Sequence, residues 1–224
     1  MGKIDEFEQK IIKQGMTDED FAEYEKLLKR VRGNFSKRQH CYTTAIQFPR
    51  QYAEQAVKLI RYGLENFEDG WYTTYTSYLH IGHIHEKTGD YPKAFASYLL
   101  AKEVLGQDHP GYAEELSKDL MWMKLHVDSF QYSVELEAYL ACYEKTGDFS
   151  KSFVNAAFKV AVAKIVISMH HGRFDEAKQF LETASDICKP NYAGKLDAVL
   201  AGHKYRETLN ATPEAIDFLK RLTI

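Results

Sequence analysis

The stretch His85-Glu86-Lys87-Thr88-Gly89-Asp90-Tyr91-Pro92-Lys93-Ala94-Phe95 recurs 58 positions later as Tyr143-Glu144-Lys145-Thr146-Gly147-Asp148-Phe149-Ser150-Lys151-Ser152-Phe153. A looser third copy is Gly172-Arg173-Phe174-Asp175-Glu176-Ala177. In each copy a helical pattern ends at glycine, an aromatic follows two residues later, and a second amphipathic helix turns back antiparallel to the first. A helical hairpin of this kind cannot bury its apolar faces alone, so it stacks on its neighbours. Composition agrees. With 13 Gly and 5 Pro in 224 residues, the chain is too poor in turn formers for an all-β fold. Its 45% hydrophobic and 27% charged residues are ordinary for a globular protein.

Apolar residues recur with a 3.6-residue period almost throughout, and no segment reads as a strand. The pattern predicts helices at 4–14, 18–32, 36–47, 50–67, 71–87, 91–105, 111–126, 129–146, 149–170, 174–187, 191–209 and 213–222. Thr17-Asp18-Glu19-Asp20 supplies an N-cap hydroxyl and first-turn acids facing the positive end of the helix dipole. Pro213 sits at a first helical position, where its missing N–H costs nothing. Gly33, Gly89, Gly106, Gly147 and Gly172 sit where left-handed C-caps are wanted. Helix 149–170 is apolar apart from a narrow stripe of Asn155, Lys159, Lys164 and Ser168, which predicts a central buried helix contacted on several sides. Its apolar window is too short and too charged to span a bilayer. Cys41, Cys142 and Cys188 show no CxxC spacing and are expected to be reduced, mostly buried thiols. The N-terminus, MGKIDEFEQK, is charged from the start, so a cytoplasmic protein without signal peptide or anchor is expected.

Several positions make the hairpins resemble the tetratricopeptide repeat (TPR). Tyr78, Ile81 and Gly82 stand at the large, apolar and small positions of a first helix, and Ala94, Tyr98 and Ala101 at the small, aromatic and small positions of a second. Leu136, Tyr139 and Leu140 repeat the first set, while Ala177, Leu181 and Ala184 keep part of the second. His85 replaces the usual aromatic, the terminal proline is displaced to Pro110, Ser152 and Ala156 weaken the second copy, and the copies are not in 34-residue register. The resemblance covers roughly half of the chain. It implies an all-α fold, a right-handed α-α superhelix built as a TPR-like stack of antiparallel hairpins, with about 10–12 helices. The expected arrangement is a single domain over 1–224: an N-terminal helical cap at 1–70, hairpins at 71–188 and C-terminal capping helices at 189–224.

The same resemblance implies a partner-binding inner face. Mapped onto the first copy its slots are Thr76, Leu79, His80, His83, Glu86 and Lys87, and onto the second Val134, Glu137, Ala138, Ala141, Glu144 and Lys145. These positions equally suit plain solvated helix faces. Trp71, Tyr75 and Tyr78 share one face, which is more often core than site, and Trp71 at the helix start reaches furthest toward a groove rim. His80 and His83 with Glu86 are the only ligand-like cluster; without HExxH or a nearby cysteine, groove-lining histidines are the preferred reading and no metal is expected. His170-His171 reads as a C-terminal cap favourable to the dipole.

Charge is segregated despite a net of −3. Residues 1–25 hold eight acids against three lysines, and from Lys26 to Ala53 there are seven bases and no acid. Lys29, Arg30, Arg32, Lys37 and Arg38 form the centre of this basic patch, with Phe35 and Tyr42 interleaved. In a net-acidic chain, pairing with the preceding acids or with an acidic partner is favoured over nucleic acid. No Gly-rich phosphate loop, GxSxG elbow or activated cysteine is present. The expected function is a non-catalytic adaptor or scaffold that binds a protein or peptide partner, with no cofactor, no membrane and the oligomeric state left open. The alternatives are an inhibitor or immunity-type protein that neutralises a toxin or enzyme, and a metal-dependent enzyme using His80, His83 and Glu86.

Overall fold

A computed structural model describes residues 2–145, 154–192 and 213–222. The Gly147 turn of the second copy and most of the expected helix 191–209 lie outside the described residues. The described residues form eleven α-helices and no strand: α1 (Lys3–Gln14), α2 (Asp18–Leu28), α3 (Asn34–Ala45), α4 (Ala53–Asn66), α5 (Trp71–Thr88), α6 (Tyr91–Leu105), α7 (Pro110–Val127), α8 (Val134–Glu144), α9 (Val154–His170), α10 (Phe174–Tyr192) and α11 (Pro213–Leu222). A 3-10 turn, Arg50–Tyr52, follows Pro49 and leads into α4. Adjacent helices pack in pairs, an arrangement compatible with a helical repeat. The chain divides into two compact units, Met1–Pro110 and Gly111–Ile224.

In the N-terminal unit α1 packs on α2, α3 on α4 and α5 on α6, while α3 and α4 also lie against α5. Ile11, Tyr24, Leu28, Cys41, Leu59 and Ile60 share one buried cluster with Ile81 and Ile84, so residues 1–70 and the first helix of the hairpin have a common core. The hairpin itself turns at Gly89, whose left-handed conformation (φ 82°, ψ 11°) lets its N–H reach the Glu86 carbonyl and that of Asp90 reach His85. Asp90 then caps α6 by accepting from the Lys93 N–H at 3.3 Å. A Cβ at Gly82 would overlap the fully buried Tyr98 ring, so the small residue expected there is what lets α5 and α6 approach.

Among the helix boundaries that differ from expectation, those of α2 and α8 have clear local reasons. Helix α2 stops at Leu28, its last fully buried residue, and Arg30 and Val31 donate to Leu27 and Leu28 in a tightened turn. Gly33, with φ 75°, opens α3 rather than closing α2. The helix expected from 129 begins at Val134, where the Ser133 hydroxyl accepts from the Leu136 N–H. Ser129 and Phe130 have positive φ, and Phe130 is held there by the Trp122, His126 and Phe218 rings packed against it.

In the C-terminal unit α9 is the buried centre. Phe158, Val162, Ala163, Ile165 and Val166 are inaccessible or nearly so, and the helix meets α7, α8 and α10. Its polar stripe is not a solvent face. Lys159 is only 3% exposed, lies 3.6 Å from Asp119 and stands over the Trp122 ring; Ser168 is equally buried. Lys164 pairs with Glu144 at 2.7 Å, while the Asn155 side chain lies outside the described residues.

Candidate functional site

Of the slots on α5, His80, His83 and Glu86 are half-buried and engaged with rings of α3 and α6. His80 packs against the Tyr42 ring of α3 (centroids 5.5 Å apart) and against His83 (5.9 Å). Burial is the main cause that pushes the His80 imidazole down to about 4, with His83 and Lys87 adding like-charge repulsion. His83 meets the Tyr98 ring edge-on, and the Tyr98 hydroxyl donates to Glu86 Oε2 at 2.8 Å. The Thr76 hydroxyl donates to the Tyr72 carbonyl within α5, and Leu79 is half-buried; Lys87 is exposed.

The second-copy slots belong to the other unit. Glu137 accepts from the Tyr132 hydroxyl at 2.9 Å and from His171 at 3.4 Å, and these donors hold its carboxyl below the usual range, Tyr132 most strongly. Glu144 pairs with Lys164, whereas Val134, Ala138, Ala141 and Lys145 are exposed. His170 stacks on Tyr132 with ring centroids 3.6 Å apart at the C-terminus of α9.

The basic patch separates into two roles. Lys29, Arg30 and Arg32 are exposed in the α2–α3 turn, and none forms an ion pair among the described residues. Four of the eight acids of the first two helices pair with other residues: Asp20 with Lys10, Asp18 with Lys58, Glu23 with Lys26 and Glu8 with His40. Lys37 lies half-buried over the Phe67 ring. Arg38 has left the surface altogether. At 5% exposure it donates to the Thr73 and Thr74 hydroxyls at 3.1 and 2.8 Å, and more weakly to the carbonyls of Gly63 and Leu64. Its guanidinium ties α3 to the end of α4 and the start of α5.

That clamp places two turns side by side. The Asn34 amide donates to the Glu68 carbonyl at 2.8 Å, so the α2–α3 and α4–α5 turns form one end of the unit. The end carries three accessible aromatics, Phe35 (49% exposed), Trp71 (38%) and Tyr72 (45%), together with the three exposed cations. Trp71 stacks on His109 at 3.5 Å and meets Tyr72 edge-on. Glu68 and Asp69 lie in the same turn, where Asp69 accepts from Thr73, so the surface is mixed in charge. Phe35 was visible in the sequence as an aromatic interleaved in the basic stretch, and Trp71 as the residue reaching toward a groove rim; that they lie at one end depends in part on Arg38, which carried no signal beyond its charge.

Among the described residues, a three-donor group suited to a metal is formed by Asp5, Glu8 and His40 rather than by the α5 histidines. Cys41 is buried, and burial pushes its thiol up to about 12, which removes it as a nucleophile; Cys142 is a half-buried free thiol, and the Cys188 side chain lies outside the described residues. No described helix is long and apolar enough to cross a membrane. No family model, curated protein or solved structure matches the chain.

Proposed function

We propose that this chain is a non-catalytic, TPR-like adaptor that binds a protein or peptide partner through the end of its N-terminal unit. The observation that carries this reading is the exposure of Phe35, Trp71 and Tyr72 beside Lys29, Arg30 and Arg32 on two turns fixed to each other by Arg38 and Asn34. Trp, Tyr and Arg are the residue types that dominate binding energy at protein interfaces. A rigid backbone beneath them lowers the entropic cost of ordering the surface on association. The three cations favour an acidic segment on the partner, and the nearby Glu68 and Asp69 keep the attraction local rather than making the whole end a polyanion site.

The test compares the wild type with a Phe35→Ala, Trp71→Ala, Tyr72→Ala triple variant in quantitative capture from native lysate, after circular dichroism shows equal helicity. A partner depleted at least tenfold by the triple variant, and also by raising the salt, supports this surface. A partner retained by the triple variant but lost with His83→Ala or Lys87→Glu would move the binding face to α5.

A further inference from the structure

We propose that Asp5, Glu8 and His40 form a binding site for one divalent transition-metal ion, with Zn²⁺ as its probe. Asp5 and Glu8 lie three residues apart on α1 and so share a face, while His40 is delivered from α3. One oxygen from each carboxylate and one imidazole nitrogen lie within 4.8 Å of one another. Tetrahedral Zn²⁺ with ligands at about 2.0–2.2 Å needs its donors roughly 3.3–3.6 Å apart. Small side-chain rotations reach that geometry; the Glu8 Oε1 to His40 Nδ1 separation of 2.8 Å widens as the ion replaces the hydrogen bond between them.

Three features set this group apart from an exposed acidic cluster. The donors are mixed, and an imidazole beside two carboxylate oxygens selects a borderline transition ion over Mg²⁺ or Ca²⁺, which take oxygen alone. All three side chains are half-buried at the α1–α3 contact, so part of their hydration is already lost and their positions are set by helix packing. The two carboxylates are also held by outer contacts: the Tyr24 hydroxyl donates to Glu8 Oε1 at 2.6 Å and the Gly2 N–H to Asp5 Oδ2 at 2.7 Å, the kind of contact that tunes metal ligands. The neighbouring cation on α1, Lys10, is committed to Asp20 at 2.7 Å. Water supplies the remaining ligand.

Isothermal titration of the full chain with ZnCl₂, repeated with MgCl₂ and with the variants Asp5→Asn, His40→Gln and His85→Ala, tests the site. The expected result is one equivalent of Zn²⁺ bound by the wild type and by His85→Ala, at least tenfold weaker binding in Asp5→Asn and in His40→Gln, and no Mg²⁺ binding at the same concentrations. Co²⁺ should give a visible d–d band that is lost in His40→Gln. Circular dichroism checks each variant's fold; should His40→Gln fail to fold, the half-buried, nearly isosteric Asp5→Asn change carries the comparison. Absence of Zn²⁺ binding, equal affinity in Asp5→Asn, or loss confined to His85→Ala would overturn the proposal.

Discussion

At the scale of single residues, Gly82 is the described glycine whose added Cβ would lie nearest another side chain, the Tyr98 ring. Gly82→Ala gains helix propensity yet forces a methyl into the Tyr98 ring, and overpacking wins; we expect a net loss of about 1–3 kcal/mol, read from urea denaturation. An unchanged midpoint would mean that α5 and α6 shift apart without cost. Two half-buried histidines contribute to the acid side of stability. His80 is held near 4 and His126 near 3, in each case mainly by burial, with His83 and Lys87 beside the first and Lys159 beside the second. Their folded-state values lie below the unfolded value, so their contribution is fully present above about pH 6.5 and is lost as pH falls from there toward the folded values. For His80 this amounts to on the order of 2–3 kcal/mol between pH 6.5 and 4. Denaturation curves at pH 7 and pH 4.5 should therefore differ less for His80→Gln than for wild type; an equal difference would show that His80 is protonated freely in the folded state. The small position at Gly82 was legible in the sequence because its role depends on spacing along a helix. The half-buried state of His80 was not, because it depends on Tyr42, distant in sequence and brought in by α3.

At the scale of elements, hairpins were readable wherever the turn chemistry is local. Gly89 and Asp90 close α5 and open α6 as their residue types require, and Thr17 supplies the N-cap hydroxyl expected for α2, with Asp20 completing a capping box. Reading failed where tertiary packing chose the conformation, as at Phe130, a left-handed aromatic seated among other rings. The basic stretch shows the same limit. Charge alone places Lys29 and Arg38 in one patch, yet the first is exposed and the second ties three helices together. Arg38→Met should leave the Thr73 hydroxyl and the Gly63 carbonyl without their donor and cost roughly 2–4 kcal/mol, measured by thermal or urea unfolding. A change below 0.5 kcal/mol would mean that the clamp adds nothing to the start of α5. On α9, Val162 is inaccessible, so Val162→Asp buries an unpaired carboxyl and should cost about 3–5 kcal/mol or prevent folding of that unit. Wild-type melting of that variant would contradict the central position of α9.

At the scale of the whole molecule, an all-helical build from packed neighbouring pairs is the level at which sequence and structure agree most directly. The candidate surface was only partly legible. Trp71 and the exposed basic residues could be named from the sequence, but three of the slots that the repeat resemblance points to on α5, His80, His83 and Glu86, are drawn into contacts with Tyr42 and Tyr98. Two turns more than thirty residues apart make the more accessible surface, and the bonds from Asn34 and Arg38 help to bring them together. Hydrogen exchange on the partner-bound protein separates the two possibilities most directly. Binding at this end predicts slowed exchange confined to residues 29–37 and 67–74, with the rest of α5 unchanged. Protection centred on residues 78–87, with no change at the two turns, would contradict it.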